Sequence, residues 1–177
     1  MDIEQFVAQS EGKWRSMRSG HSLAFQQFEE VVSEIIIKKL LPDDQSVLDL
    51  ISSSECGDVD PISPFQMDWN AESDWEPDDP AEVSSGSCIL VPIAHNASSG
   101  KILRSVGYAE ISQAVSEYSF LSDGTFLLTT KYEQAIAEER IWFVSEHLRC
   151  RSSVLRTSAG SGVLQTSFAS EVRRLKS

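Results

Sequence analysis

Apolar and polar residues along this chain fall mostly into short runs divided by turn chemistry, with little helical spacing. The first segment is an exception: residues 3–8 predict a short N-terminal helix, broken by Ser10-Glu11-Gly12. Residues 13–28 read as extended. Residues 30–41 are rich in the β-branched side chains Val31, Val32, Ile35, Ile36 and Ile37, which suit a pleated surface. Pro42-Asp43-Asp44 closes that run. Either aspartate can cap a short helix in which Val47, Leu48, Leu50 and Ile51 share one face, ending near Ser54. A turn-rich stretch, 57–64, leads into a short strand at 65–69. Residues 72–86 hold two prolines and many acids and read as a loop. Seven strands are then expected at 87–95, 101–110, 114–121, 125–134, 138–147, 149–157 and 163–175. Their separators include Ser98-Ser99-Gly100, Ser122-Asp123-Gly124 and Gly160-Ser161-Gly162, and Asp-Gly is the strongest hairpin signal among them.

Nine or ten short strands without intervening helices predict an all-β fold with an antiparallel sheet. A barrel is favoured over a sandwich. Closure removes exposed edges, and eight to ten strands leave room for one small ligand. The expectation is one domain over residues 1–177: an antiparallel β-barrel of about ten strands with a short N-terminal helix. A length of 177 residues suits that.

Composition narrows the function. The formal charge is −12, which disfavours a nucleic-acid partner. The charge is uneven: residues 55–82 carry acids and no Lys or Arg, whereas residues 140–176 carry seven basic and two acidic residues. The basic third could supply cations to an anionic ligand. No apolar run approaches the roughly 18 residues of a membrane span. The N-terminus lacks a basic region followed by a long apolar one, so a cytoplasmic location is expected. Cys56, Cys88 and Cys150 form no CxxC pair, and free thiols are expected. No P-loop, GxGxxG, HExxH or GxSxG motif is present.

Three constellations stand out. In a strand, Trp14, Ser16, Arg18 and Gly20 share one face, with Arg15, Met17, Ser19 and His21 on the other. Gly12-x-Trp14 is also how lipocalin barrels begin, with the Trp closing one end. The plainer reading has Trp14 in the core and both arginines solvated. Met67 and Trp69 share a face opposite Asp68, and Trp75 follows; large aromatics there could cover a flat apolar ligand or simply pack on the barrel rim. Arg149, Arg151 and Ser153 alternate. Facing inward they would form a carboxylate clamp, since each Arg can bind bidentately; facing outward they would be solvated.

Together, the Trp14-Arg15-Ser16-x-Arg18-Ser19-x-His21 stretch, Met67-x-Trp69 with Trp75, and Glu139 followed by Arg149-x-Arg151-x-Ser153 resemble the S-type (CpcS/CpeS) phycobiliprotein lyases, over nearly the whole chain. The resemblance implies a lipocalin-like barrel that holds an open-chain tetrapyrrole, phycocyanobilin or a related bilin, as transferred substrate rather than permanent cofactor. It implies thioether attachment of that bilin to a cysteine of apo-phycobiliprotein α and β subunits, in cyanobacterial cytosol or plastid stroma. It also implies a homodimer or a paralogous lyase partner. In that setting Arg149 and Arg151 would pair with the two propionates, Arg18 would add a third cation, and Ser153 would position a propionate. Met67, Trp69 and Trp75 would line or cover the rings. Glu139 would hydrogen-bond the pyrrole nitrogens, and His21 would assist proton transfer or serve a structural hydrogen bond. The alternative of another class is a non-catalytic carrier that binds a bilin or other apolar ligand and releases it.

Overall fold

The computed structural model describes residues 1–57, 59–72, 85–105, 114–160 and 162–175. Its elements, in chain order, are α1 (Ile3–Ser10), β1 (Gly12–Ser22), β2 (Gln27–Lys39), α2 (Gln45–Ser53), β3 (Phe65–Glu72), β4 (Ser85–Asn96), β5 (Ser99–Arg104), β6 (Ala114–Phe120), β7 (Phe126–Lys131), β8 (Ala135–Ser145), β9 (Leu148–Thr157) and β10 (Val163–Arg173). Each strand pairs antiparallel with its sequence neighbours, and β1 pairs with both β2 and β10, so the meander closes into the expected ten-stranded barrel.

Helix α1 runs two residues beyond its predicted end. Asp2 and Gln5 form a reciprocal capping box at its start. Ile3, Phe6, Val7 and Ser10 are buried against the barrel, and Gly12, with φ of +129°, takes the turn into β1. The Phe6 ring stacks on Phe126 at 4.2 Å and meets Phe143 edge-on. One end of the barrel is thereby plugged.

The predicted extended run 13–28 is in fact β1, a turn and the start of β2. The turn at residues 23–26 contains no Gly, Pro, Asn or Asp; Gln26 takes the left-handed conformation at φ +53°. Nothing in its composition marks it as a turn. The two-residue turn Glu146-His147 between β8 and β9 also lacks these residues, and the break expected at 148 falls one residue after it.

Strand β4 is apolar on both faces. Cys88 and Leu90 face the barrel interior, while Ile89, Val91 and Ile93 meet α2 on the outside. Val47 and Leu50 of α2, with Val91 and Leu103, form this second small core. Asp44 caps α2 by accepting a hydrogen bond from Ser46 N–H.

Candidate functional site

Cross-strand register fixes which side chains face inward. Trp14 lies opposite Arg173 and Ile35; Phe143, Arg149 and Glu171 are partners on successive strands. One level further from α1 lie Arg18, Ala169, Arg151 and Ile141. Beyond them come Gly20, Ser167, Ser153, Glu139 and Leu128. Between these walls lies a cavity of about 440 Å³, within the range of small-molecule sites. It runs from Phe6 and Ser10 of α1 towards Tyr132 and Gln165. Solvent reaches it at that far end, where Glu29 and Tyr132 are more than a third exposed. Ile35, Ile37, Phe65, Leu90, Ile102, Phe126 and Leu128 give it an apolar wall. Among the described residues its charged lining is Arg18, Arg104, Arg149, Arg151, Glu29, Glu139 and Glu171: four arginines against three glutamates, one positive charge in excess.

Most of the sequence-predicted residues meet here. Arg18, Met67, Trp69, Glu139, Arg149, Arg151 and Ser153 all line the cavity. The Trp69 ring lies over Gly86, where an added Cβ would come within 2.2 Å of it, so the glycine makes room for the indole. Ser153 shares a hydrogen bond of 2.7 Å with Ser167. Trp75 lies outside the described residues.

Two expectations need correction. His21 does not reach the cavity. It occupies an outward position of β1, exposed, with its ring 4.9 Å from that of Phe28; proton transfer inside the barrel is therefore not its task. The paired-arginine clamp also changes. Arg149 is 2% exposed, its Nε donates to Glu171, and its guanidinium lies 4.6 Å from the Trp14 ring centre. Arg173 covers the same indole at 4.2 Å and donates to the carbonyls of Gln9 and Glu11 at the end of α1. The indole N–H donates to Ser10 O at 2.8 Å. Arg149 is thus part of the closed end, a buried cation held by a buried anion. Burial pulls its pKa below the usual arginine range, while Glu171 opposes that fall.

Arg151 sits differently. Its side chain is 25% exposed; it donates to Glu139 at 2.8 Å and stands 4.0 Å from Glu171. The Arg151 charge holds the Glu139 carboxyl below its ordinary pKa against the cost of burial, and Arg104 adds to this. Arg18 donates to Glu29 at 2.9 Å. Arg151 and Arg18 thus each have a protein carboxylate that a ligand acid could replace.

Sequence reasoning missed Glu171, Glu29, Arg104 and Tyr132. Glu171 was detectable: it alternates with Ala169 and Arg173 and is one of only two acids in the basic third. Glu29 was hidden by the unmarked turn before it. Among the described residues no cluster of His, Cys, Asp or Glu could hold a metal ion, and no helix is long and apolar enough to cross a membrane. Cys56, Cys88 and Cys150 form no disulfide, and Cys88 lies in the cavity wall.

The family model described as CpeS-like protein matches residues 2–174. The chain is 53% identical to "Chromophore lyase CpcS/CpeS 3" of Trichodesmium erythraeum over 175 residues, 98% of this chain and 99% of that one. It is 31% identical to "Phycocyanobilin lyase subunit CpcS" of a Picosynechococcus species, covering 97% of this chain and 86% of the relative. The solved S-type phycobiliprotein lyase CPES from Guillardia theta superposes with a TM-score of 0.83 at 40% identity, over 100% of this chain and 95% of that one. With a family model matched along almost its whole length and a lyase structure aligned from end to end, the chain belongs to the CpeS-like family of chromophore lyases.

Proposed function

We propose that this barrel binds phycocyanobilin or a related bilin and delivers it to a cysteine of apo-phycobiliprotein α and β subunits. One observation carries the reading: a largely apolar cavity holds the guanidinium–carboxylate pairs Arg151–Glu139 and Arg18–Glu29, whose carboxylates a ligand acid could replace, and, among the described residues, one excess positive charge. A protonated bilin with two ionised propionates carries one net negative charge and balances it. A propionate taking Arg151 releases Glu139 to accept pyrrole N–H groups, which favours the protonated, more electrophilic pigment. Arg18 meets an acid arm nearer the open end, and Ser153 helps to position one. Met67 and Trp69 pack on the rings, with Trp75 downstream in the sequence.

The acceptor thiol then adds to the ring-A ethylidene. A C–S bond forms, the C=C π bond is consumed, and the thiol proton ends on the pigment, so no oxidant or reductant is needed. The lyase supplies orientation rather than a nucleophile of its own. Exposed Met17, Phe168 and Val172 on adjoining outer faces of β1 and β10 favour burial of that wall in a homodimer or with a paralogous chain. The assembly is assigned to the cytosol or plastid stroma, where its acceptors are built.

The test is transfer. The protein is loaded with phycocyanobilin and mixed with separate apo-phycocyanin subunits, and adducts are mapped by peptide mass spectrometry. The expected result is a single modified cysteine, formed well above the spontaneous rate and slowed at least tenfold by Arg151→Ala. Uptake without accelerated transfer would reduce the protein to a carrier, and a product mixture equal to the spontaneous one would refute the proposal.

A further inference from the structure

We propose that Gly86 is a positioning residue of the pigment site: its missing side chain lets the Trp69 indole lie back in the barrel wall, which leaves the hollow wide enough for a four-ring pigment. This rests on the reading of the cavity as a bilin site. Gly86 of β4 and Trp69 of β3 are direct cross-strand partners, so they share the inner face. A Cβ added to Gly86 would stand 2.7 Å from Cε2 and Cη2 of that indole and closer still to Cζ2. The six-membered part of the indole therefore occupies the space that a side chain at 86 would take.

Backbone conformation does not call for glycine here. Gly86 lies within a strand and is not among the glycines with positive φ. Glycine weakens a strand interior, so its place there marks a close approach by another group. Gly20, also on the inner wall, shows the contrast: a Cβ there would meet the flexible Glu29 side chain at 3.4 Å, an ordinary contact. A Cβ at 86 would have to move a rigid bicycle. Trp69 packs against the core, beside its β2 partner Ile35, and Met67 and Cys88 hold the next inward positions on β3 and β4. All three line the cavity, as Trp69 does. With wall on those sides, the displaced ring turns into a hollow of about 440 Å³. There the indole would compete with a flat conjugated ligand for the same width.

The experiment is a double-substitution cycle: wild type, Gly86→Ala, Trp69→Leu and the two together. Leucine keeps the wall apolar and removes the ring. Phycocyanobilin uptake is read by absorbance titration, and the shape of the bound pigment by visible circular dichroism. Gly86→Ala is expected to weaken uptake about tenfold and to alter the dichroism. Once Trp69→Leu has removed the ring, the same change is expected to cost less than about twofold. The thermal transition, measured without pigment, is expected to follow the cycle: Gly86→Ala lowers it in the wild-type chain and leaves it level in Trp69→Leu. If Gly86→Ala alone shows no transition, the doubly substituted chain is expected to recover one. Equal losses in both backgrounds, a folded Gly86→Ala with wild-type uptake and dichroism, or a double substitution that recovers nothing overturns this assignment alone. A wild-type chain that takes up no pigment overturns the bilin reading and this inference with it.

Discussion

A guanidinium stripped of water needs a carboxylate at close range, and Glu171 supplies one to Arg149 with both side chains almost fully buried. Removing one member of such a pair leaves the other charged and unsolvated. Glu171→Gln is therefore expected to destabilise the fold by about 3 kcal/mol in urea denaturation. Glu138→Gln, which breaks the outer-wall pair with a half-exposed Arg140, is expected to cost under about 1 kcal/mol. Equal effects would mean that Arg149 is not locked. Strand alternation grouped Arg18 with Trp14 and Ser16, Met67 with Trp69, and Arg149 with Arg151 and Ser153, because a period of two survives any error in strand ends, but it left open which face turned inward; the structure turns all of them to the cavity. What alternation could not show was pairing across strands. The Glu171 partner lies 22 residues from Arg149, and Glu139 is 12 from Arg151. His21 was drawn into the site by its neighbours in sequence, although its parity already put it on the outer wall.

At the scale of elements, the barrel leans on α2. Without that helix the outward residues Ile89, Val91 and Ile93 of β4 would meet water, and each such side chain is worth about 1.5–3 kcal/mol when buried. The continuous apolar run of β4 is thus explained by two covered faces, as in a strand lying between layers. The Asp44 cap is the handle on this helix. Asp44→Ala is expected to lower stability by about 1 kcal/mol, read by urea denaturation, with bilin uptake unchanged because α2 sits outside the wall. Both helices and most strands within the described residues were legible from residue pattern and turn chemistry, but β1 was read as running on through an unmarked turn into β2. Strand ends were less so. Turns such as 23–26 and 146–147 use ordinary residues, held in place by the neighbouring strands rather than by local preference.

Across the whole molecule, charge is sorted by location. The chain carries a formal −12, yet the lining of its cavity, among the described residues, is positive by one. On the proposed reading that interior charge would draw an anionic ligand inward. Closure follows from β1 pairing on both edges, and α1 with Trp14 seals one end, so on the proposed reading a ligand would enter from the end where Tyr132 and Glu29 meet solvent. Ala169 lies midway down the hollow, facing inward between Arg18 and Arg151 on the neighbouring strands. The most direct measurement is an absorbance titration of phycocyanobilin into the wild-type chain and Ala169→Phe, which fills that space. One pigment bound per wild-type chain, and at least a tenfold loss in Ala169→Phe with its thermal transition retained, is the expected result. Undiminished uptake by a folded Ala169→Phe would show that the pigment binds somewhere other than inside the barrel.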